Sequence, residues 1–454
     1  MVVANTSPNL RNRKTLVVGL GATGLSCARF LASQGMQLAV ADSREQPPGL
    51  DELQESLPDV AVFLGPFDEK LFASAERLVV SPGVPVATPQ IAAASARGVP
   101  VIGDIELFAR VAQAPIVAIT GSNGKSTVTT LLGEMARASG VQAAVGGNLG
   151  TPALDLLDDD AELYILELSS FQLETTSSLQ AAVAAVLNIS HDHMDRYAGI
   201  DEYAAVKARV FDGAGVGVIN ADDPRVAAMS GADDTWCFTL GESSDDKMFG
   251  VCSIDEARYL CRGEQPLFAV DELKIPGVHN QANALAALAM GTALGFDIEA
   301  MRGALQRFGG LPHRTQWIGE HGDVDWYNDS KGTNVGAALS ALRGLDRGDD
   351  SRTVLIAGGD CKGADFEPLR DGLAAFARAI VLMGRDAAEI AAVVPATVVK
   401  VEARDMRDAV RHAAALAVAG DRVLLSPACA SFDMYGSYAE RGDAFLREFR
   451  RLAA

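Results

Sequence analysis

Short apolar runs alternate with alanine-rich stretches of helical period along almost the whole chain. Parallel strands need helical crossovers to bring the chain back, so this rhythm predicts α/β units on mainly parallel sheets. Strands are expected near residues 16–18, 38–41, 60–64 and 78–80, in a first unit spanning 1–103. The proline-bearing stretch "RGVPVIGDIELFARVAQAP" then leads into a strand at 116–120. A second unit, 104–310, has further strands expected near 141–145, 163–167, 184–189 and 216–220. From about residue 235 to 275 the rhythm breaks into polar loops such as "GESSDDKMFG", which suggests a small β insertion. A helix expected over 280–294 precedes "RFGGLPHR", whose glycines and proline mark a second boundary near residue 311. The third unit, 311–454, resumes the rhythm with strands near 354–357, 380–383, 397–401 and 423–425.

Length agrees with three domains, since 454 residues divide into units of ordinary size. No apolar stretch approaches the roughly 20 residues that a membrane helix needs, and "MVVANTSPNLRN" at the start lacks the apolar centre of a secretory signal. A cytoplasmic protein without membrane insertion is therefore expected. Lys and Arg number 39 against 59 Asp and Glu, a formal charge of −20. That field repels nucleic acid, so no nucleic-acid partner is expected and any polyanionic ligand needs a local basic pocket. Six cysteines lie scattered without a CxxC pair and read as buried thiols in a reducing compartment, neither disulfides nor a zinc site.

Two glycine-rich turns carry the first chemistry. In "VVGLGATGLS", Gly19-x-Gly21-x-x-Gly24 has the spacing of a strand-to-helix turn whose backbone N–H groups meet a diphosphate. Asp42 stands at the end of the next expected strand, where dinucleotide-binding units place a ribose-binding acid. Taken alone, this turn suggests a dehydrogenase. A stronger signal is "APIVAITGSNGKSTVTTLLGEM", a strand, a turn and a helix in register. Backbone N–H groups of Gly121, Ser122, Asn123 and Gly124 are placed to cradle phosphate, Lys125 adds a mobile positive charge, and Ser126 or Thr127 can ligate Mg²⁺. The common pattern has a further glycine five positions before Gly124, where this chain has Ile119, so the loop is a variant.

Polar residues gather where strands of the second unit should end. Glu167 closes the apolar run "LYILE", and "AAVAAVLNISHDHMD" finishes in His191, Asp192, His193 and Asp195. Beside a phosphate loop, Glu167 and His193 are candidate magnesium ligands. Lys207 shares a helical stripe with Tyr203, Val210 and Phe211. Either it snorkels toward water, or its desolvated amine is neutral enough to take up CO₂ as a carbamate, one more metal-binding carboxylate. The third unit offers "YNDSKGTN", "AGGDCKGADF" and "LLSPACASFDMYGSY", which supply Asp329, Lys331, Lys362 and Ser431 at strand ends. Cys429 reads as a packed thiol.

The motifs "TGSNGKST", "GGNLGTPAL", "LELSSFQLE", "DHMDRY", "LPHR", "NDSKGTN" and "LLSPACAS" occur in this order over nearly the full length, and in this the chain resembles the Mur ligases. "LELSSFQLE" with "SPACAS" resembles their glutamate-adding branch. The resemblance implies an N-terminal Rossmann-like domain for a UDP-sugar, a central P-loop ATPase and a C-terminal Rossmann-like domain for the amino acid. It implies a monomer using ATP, two Mg²⁺ sites and a carbamate on Lys207. The reaction implied joins D-glutamate to UDP-N-acetylmuramoyl-L-alanine through an acyl phosphate, in peptidoglycan synthesis.

By matching position, Gly121 to Thr127 would hold ATP phosphates, with Asn283, Arg314 and Asp329 on its adenosine portion or phosphates. Ser126, Glu167, His193 and the Lys207 carbamate would form the magnesium shell. Ala22, Thr23, Asp42, Ser43, Arg44 and Gly83 would hold the UDP, with Asn148 a substrate contact near the phosphate. Lys331 and Thr333 would lie near the forming bond, and Lys362, Ser431 and Tyr438 would grip the glutamate. Two departures from the family stand out: Tyr438 where many members carry phenylalanine, and Gly332 where many carry alanine. A folylpolyglutamate synthase would not need the hundred or so residues before the phosphate loop. A P-loop switch or motor would hydrolyse ATP without an amino acid.

Overall fold

The computed structural model describes residues 13–275, 277–346 and 350–453, so the first dozen residues lie outside it. Three sheets carry the fold. The first contains β1 (Thr15–Val18), β2 (Leu38–Asp42), β3 (Ala61–Leu64), β4 (Arg77–Val80) and β5 (Val101–Ile102), all parallel, in the order β3-β2-β1-β4-β5. The second begins with β6 (Ile116–Thr120), β7 (Ala143–Gly147), β8 (Leu163–Glu167), β9 (Val183–Val186), β10 (Val216–Asn220) and β11 (Asp234–Phe238). It continues through β12 (Met248–Ile254), β13 (Ala257–Arg262) and β14 (Gln265–Ala269), and its order is β14-β13-β12-β11-β10-β9-β6-β8-β7. The third contains β15 (Gln316–Glu320), β16 (Asp325–Asn328), β17 (Thr353–Ala357), β18 (Ala377–Leu382), β19 (Val399–Glu402) and β20 (Arg422–Leu425), ordered β15-β16-β20-β17-β18-β19. No described helix is long and apolar enough to cross a membrane.

The expected α/β rhythm is therefore the architecture, with instructive differences. β9 stops at Val186 although apolar residues continue, because the chain turns there to brace the phosphate loop: Ser122 N–H donates to the Asn188 carbonyl (2.9 Å). The expected insertion extends the central sheet: β12 pairs parallel to β11, and β13 and β14 add antiparallel strands. The β15–β16 hairpin was not legible as strand. One expectation is corrected outright. Cys252 and Cys261, on the paired strands β12 and β13, are joined as a disulfide, while Cys27, Cys237, Cys361 and Cys429 are free. Nine residues of separation hid the pair, because only the hairpin register brings the two side chains together.

Packing differs between units. A continuous apolar core runs from Val17 of the first sheet and Leu25 of the helix that follows it, through Ile105 and Phe108, to Tyr164 and Leu166 of the second sheet. The third sheet has its own cores on its two faces.

At the first glycine-rich turn, the helix Ala22–Ser33 starts right after Gly21. A Cβ on Gly24 would sit 1.8 Å from the Gly19 carbonyl oxygen, whereas one on Gly21 would meet nothing within 4 Å. Gly24→Ala is therefore expected to destabilise the first unit by about 3 kcal/mol, the cost of overpacking, and Gly21→Ala by less than about 1 kcal/mol. Urea denaturation of both variants checks this, and equal midpoints would refute it.

Candidate active site

Carboxyl ends of parallel strands carry ligands in open α/β sheets, and the predicted site residues collect there. Helix Lys125–Ala138 follows β6 directly, entered through Gly121 (φ 147°) and Gly124 (φ 85°), conformations that suit glycine. Asn188 clamps the turn, accepting from Asn123 N–H (2.8 Å) and donating to the Asn123 carbonyl (3.0 Å). Lys125 Nζ donates to the carbonyls of Gly121 (2.8 Å) and Ser122 (3.0 Å), so its ammonium already lies over the loop.

Glu167 ends β8, the strand beside β6, and is buried. Ser126 Oγ donates to its Oε2, Asn148 Nδ2 to its Oε1 (2.7 Å), and Arg314 Nη2 to Ser126 Oγ. Burial alone would raise the carboxyl's pKa, but the Lys125 charge and these hydrogen bonds hold it below the usual range. The site thus keeps an ionised carboxylate beside a serine hydroxyl. Asp192 and His193 reach the same cleft, whereas His191 and Asp195 are exposed. The His193 ring meets Phe171 edge-on (4.7 Å between centroids), and burial lowers its pKa, favouring the neutral imidazole that can act as ligand or base.

Lys207 faces inward with Tyr203, Val210 and Phe211, all about 1 % exposed. Its Nζ donates to Thr120 Oγ1 (3.2 Å) and lies 4.7 Å from the centre of the Tyr203 ring. Burial first, and the Lys125 charge second, push its pKa far down. The snorkelling alternative does not hold.

Loops following β16, β17 and β20 close the cleft from the third sheet, and they border a cavity of about 280 Å³ with the phosphate loop. Lys331 Nζ sits 4.2 Å from the Tyr438 ring centre, and burial, then Arg314 and Lys125, lower its pKa to about 8. Lys362 Nζ is 5.9 Å from the ring of Phe432, and Thr333 and Ser431 line the same space. Asn334 touches Asn123 across the cleft (3.2 Å) and donates to Asp192 (3.2 Å).

A second cavity, about 320 Å³, opens on the other side of the phosphate loop. Apolar Leu187, Phe238 and Ile275 wall it, and Thr127, Asn283, Arg314 and Asp329 line it. Asp329 is spent inward, accepting from Thr315 N–H (3.0 Å) and Ser426 Oγ (2.7 Å), and burial raises its pKa to about 6.

Around the first turn, Ala22, Thr23, Ser43, Arg44 and Gly83 border the carboxyl edge of the first sheet. Asp42 is buried and turned inward: it accepts from Leu20 N–H (2.7 Å) and from the Arg44 backbone and guanidinium (2.7 to 2.9 Å). It props the loop, and Arg44 is the more open of the pair.

Sequence reasoning missed Arg441. It is buried and donates to Ser330 Oγ (3.0 Å) and O (2.8 Å), Cys429 O (3.1 Å) and Ala430 O (3.2 Å), tying two loops of the cleft together. The available signal was an arginine on the apolar face of helix Tyr438–Ala453, aligned with Ala444, Phe445 and Phe449.

Comparison with known proteins completes the picture. Residues 13–103 match a family model described as the N-terminal domain of Mur ligases, MurD-like. Residues 119–291 match the Mur ligase middle domain and 313–429 the Mur ligase glutamate ligase domain. The chain is 54% identical over 439 residues to a UDP-N-acetylmuramoylalanine–D-glutamate ligase of Pseudomonas fluorescens, covering 96% of this chain and 98% of that one. It is 54% identical over 440 residues to the enzyme so named from Nitrosococcus oceani, covering 96% of each. Among solved structures, UDP-N-acetylmuramate–alanine ligase of Thermotoga maritima superimposes with a TM-score of 0.62 at 16% identity, covering 97% of this chain and 100% of that one. A pseudomurein peptide ligase type C of Methanothermus fervidus gives 0.58 at 18% identity, with coverage of 97% and 100%.

Proposed function

The chain belongs to the Mur ligase family, and we propose that it is the ATP-dependent ligase joining D-glutamate to UDP-N-acetylmuramoyl-L-alanine. Identity of 54% across nearly the whole chain with relatives of that name carries the reading. The geometry supports it, because one cleft joins a phosphate loop to cationic loops of a third domain suited to an acidic amino acid.

The alanyl carboxylate of the nucleotide substrate attacks the γ-phosphorus of ATP, and the bond to ADP breaks. The amine of D-glutamate attacks the resulting acyl phosphate, loses a proton, and phosphate leaves as the amide forms. Both steps bring anions together, so the chain's task is to gather positive charge and exclude water. Lys125 and the N–H groups of the loop hold the phosphates, and the apolar second cavity takes the adenine end, with Asn283, Arg314 and Asp329 around it. Lys331 meets the developing charge at the acyl group, held in place by the Tyr438 ring. Lys362 and Ser431 receive the glutamate carboxylates, with Thr333 beside the forming bond. The glycine turn 19–24 takes the UDP diphosphate, supported by Ala22, Thr23, Ser43, Arg44 and Gly83, and Asn148 contacts the substrate near the phosphate.

Among the described residues, no group of three or more His, Cys, Asp and Glu side chains converges to hold a metal alone. Magnesium needs no such cage, since it binds through one or two carboxylates, waters and substrate phosphates. Ionised Glu167 against Ser126 fits that pattern. Ser126, Glu167, neutral His193 and a carbamylated Lys207 are the proposed ligands of two ions. Bound Mg²⁺ would neutralise phosphate charge. Burial, which pushes the pKa of Lys207 far down, supports the carbamate: its nitrogen adds to CO₂ and releases one proton. We assign the domains to 1–103, 104–310 and 311–454. In this reading the enzyme acts as a monomer, in the cytoplasm where its nucleotide substrates reside.

Incubation with ATP, Mg²⁺, UDP-N-acetylmuramoyl-L-alanine and a panel of amino acids is expected to release phosphate with D-glutamate alone. Release that is equal without any amino acid would favour a simple ATPase, and release with another amino acid or with L-glutamate would overturn the substrate.

A further inference from the structure

We propose that Cys361 and Cys429 form a reversible disulfide on exposure to peroxide, and that this bond tightens the amino-acid end of the cleft and weakens glutamate binding. The pair spans the two loops that carry Lys362 and Ser431. Asp360 and Ala430 form an isolated antiparallel bridge, exchanging N–H···O bonds of 3.0 and 2.9 Å. The next residues, 361 and 429, therefore face each other as a non-hydrogen-bonded pair. Such pairs have Cα atoms about 4.5 Å apart, within the range of about 4.4–6.8 Å that disulfides span. The two sulfurs already lie 3.4 Å apart, and both side chains are buried in one apolar core. Closing to bonding distance asks for a little over 1 Å of movement, given an S–S bond of about 2.05 Å.

The chemistry balances with hydrogen peroxide as oxidant. One sulfur takes an oxygen from peroxide, giving a sulfenic acid and one water. The second thiol sulfur attacks it, the S–O bond breaks, and a second water carries off the remaining proton. Two thiols and one peroxide become a disulfide and two waters. The hydrogen bond to Cys429 first, and burial second, keep the Cys361 thiol protonated, so small peroxide at millimolar level, not a bulky disulfide, is the expected reagent.

Cys361 is pinned by its own N–H to Asp386 Oδ2 (2.9 Å), and Cys429 by its carbonyl to Arg441. With both ends held, the closing movement is passed to their chain neighbours. Lys362, next to Cys361, has a left-handed backbone (φ 49°), and Ala428, next to Cys429, has φ 58°. Residues in such conformations have little room to adjust, so the Lys362 ammonium and the Ser431 hydroxyl shift.

The functional half of this inference rests on the ligase reading; the bond itself does not. Full-length enzyme treated with peroxide should yield a linked Cys361–Cys429 peptide on non-reducing mass mapping, beside the Cys252–Cys261 one. KM for D-glutamate should rise about tenfold, the scale of one misplaced charge-assisted hydrogen bond, with KM for ATP unchanged, and dithiothreitol should reverse it. Cys361→Ala should keep its activity and lose the sensitivity. Sulfinic acid at either cysteine without a cross-link, a cross-link that leaves KM unchanged, or equal sensitivity of Cys361→Ala would each overturn the proposal. Should that variant fold poorly, the peptide map and KM of the unaltered enzyme decide. Phosphate release by untreated enzyme reports on the ligase reading separately.

Discussion

Lys125→Ala is expected to lower the rate of phosphate release by about a thousandfold, the upper range for removing one preorganised donor at developing charge. The loss should fall on kcat more than on KM for ATP, because charge at the phosphoryl group grows as the transition state forms. The fold should survive. Among the described residues, the Lys125 ammonium bonds to the Gly121 and Ser122 carbonyls of its own turn, and Asn188 clamps that turn independently. Arginine should not rescue, since a planar fork cannot reproduce a point charge folded back on two carbonyls. Steady-state kinetics with a urea denaturation control decide the matter. A kcat within tenfold of the unaltered enzyme would mean that the loop binds phosphate without this lysine acting on it.

Lys207→Met is the second large effect. Methionine roughly fills the volume of the lysine stem, and among the described residues the amine donates to Thr120 Oγ1. Stability should therefore change by no more than about 1.5 kcal/mol, while turnover falls at least about a hundredfold if a carbamate there helps hold the metal. Enzyme equilibrated with ¹³C-bicarbonate should show a carbamate carbon resonance that the variant lacks. A folded Lys207→Met enzyme with more than a tenth of normal turnover would remove Lys207 from the machinery. Loss of activity with no carbamate signal in the unaltered enzyme would leave the lysine needed as an amine, contrary to the proposal.

Much of the site was legible because its parts are local. Gly121 to Thr127 are consecutive, and their strand, turn and helix stand in register. The inward direction of Lys207 could be read from Tyr203, Val210 and Phe211 at helical spacing, and Glu167 from its position closing an apolar run. At Asp42 the fold adds what the strand end could not show: its oxygens also accept from Leu20 and Arg44, which braces the loop. The disulfide of Cys252 and Cys261 is where the reading misled, since spacing says nothing about hairpin register.

The sequence by itself determined most of the parallel strands and the helices between them, and the residue types waiting at strand ends, but not the β15–β16 hairpin. Those follow from periodicity and from turn geometry within a few residues. Only the tertiary structure decided how these ends meet. Asn123 faces Asn334 across 211 residues of chain, Ser330 is held by Arg441 across 111, and Cys361 lies against Cys429 across 68. No local pattern encodes such pairings. They arise from sheet order and from the packing of the apolar cores on the sheet faces, which places loops distant in sequence around one cleft.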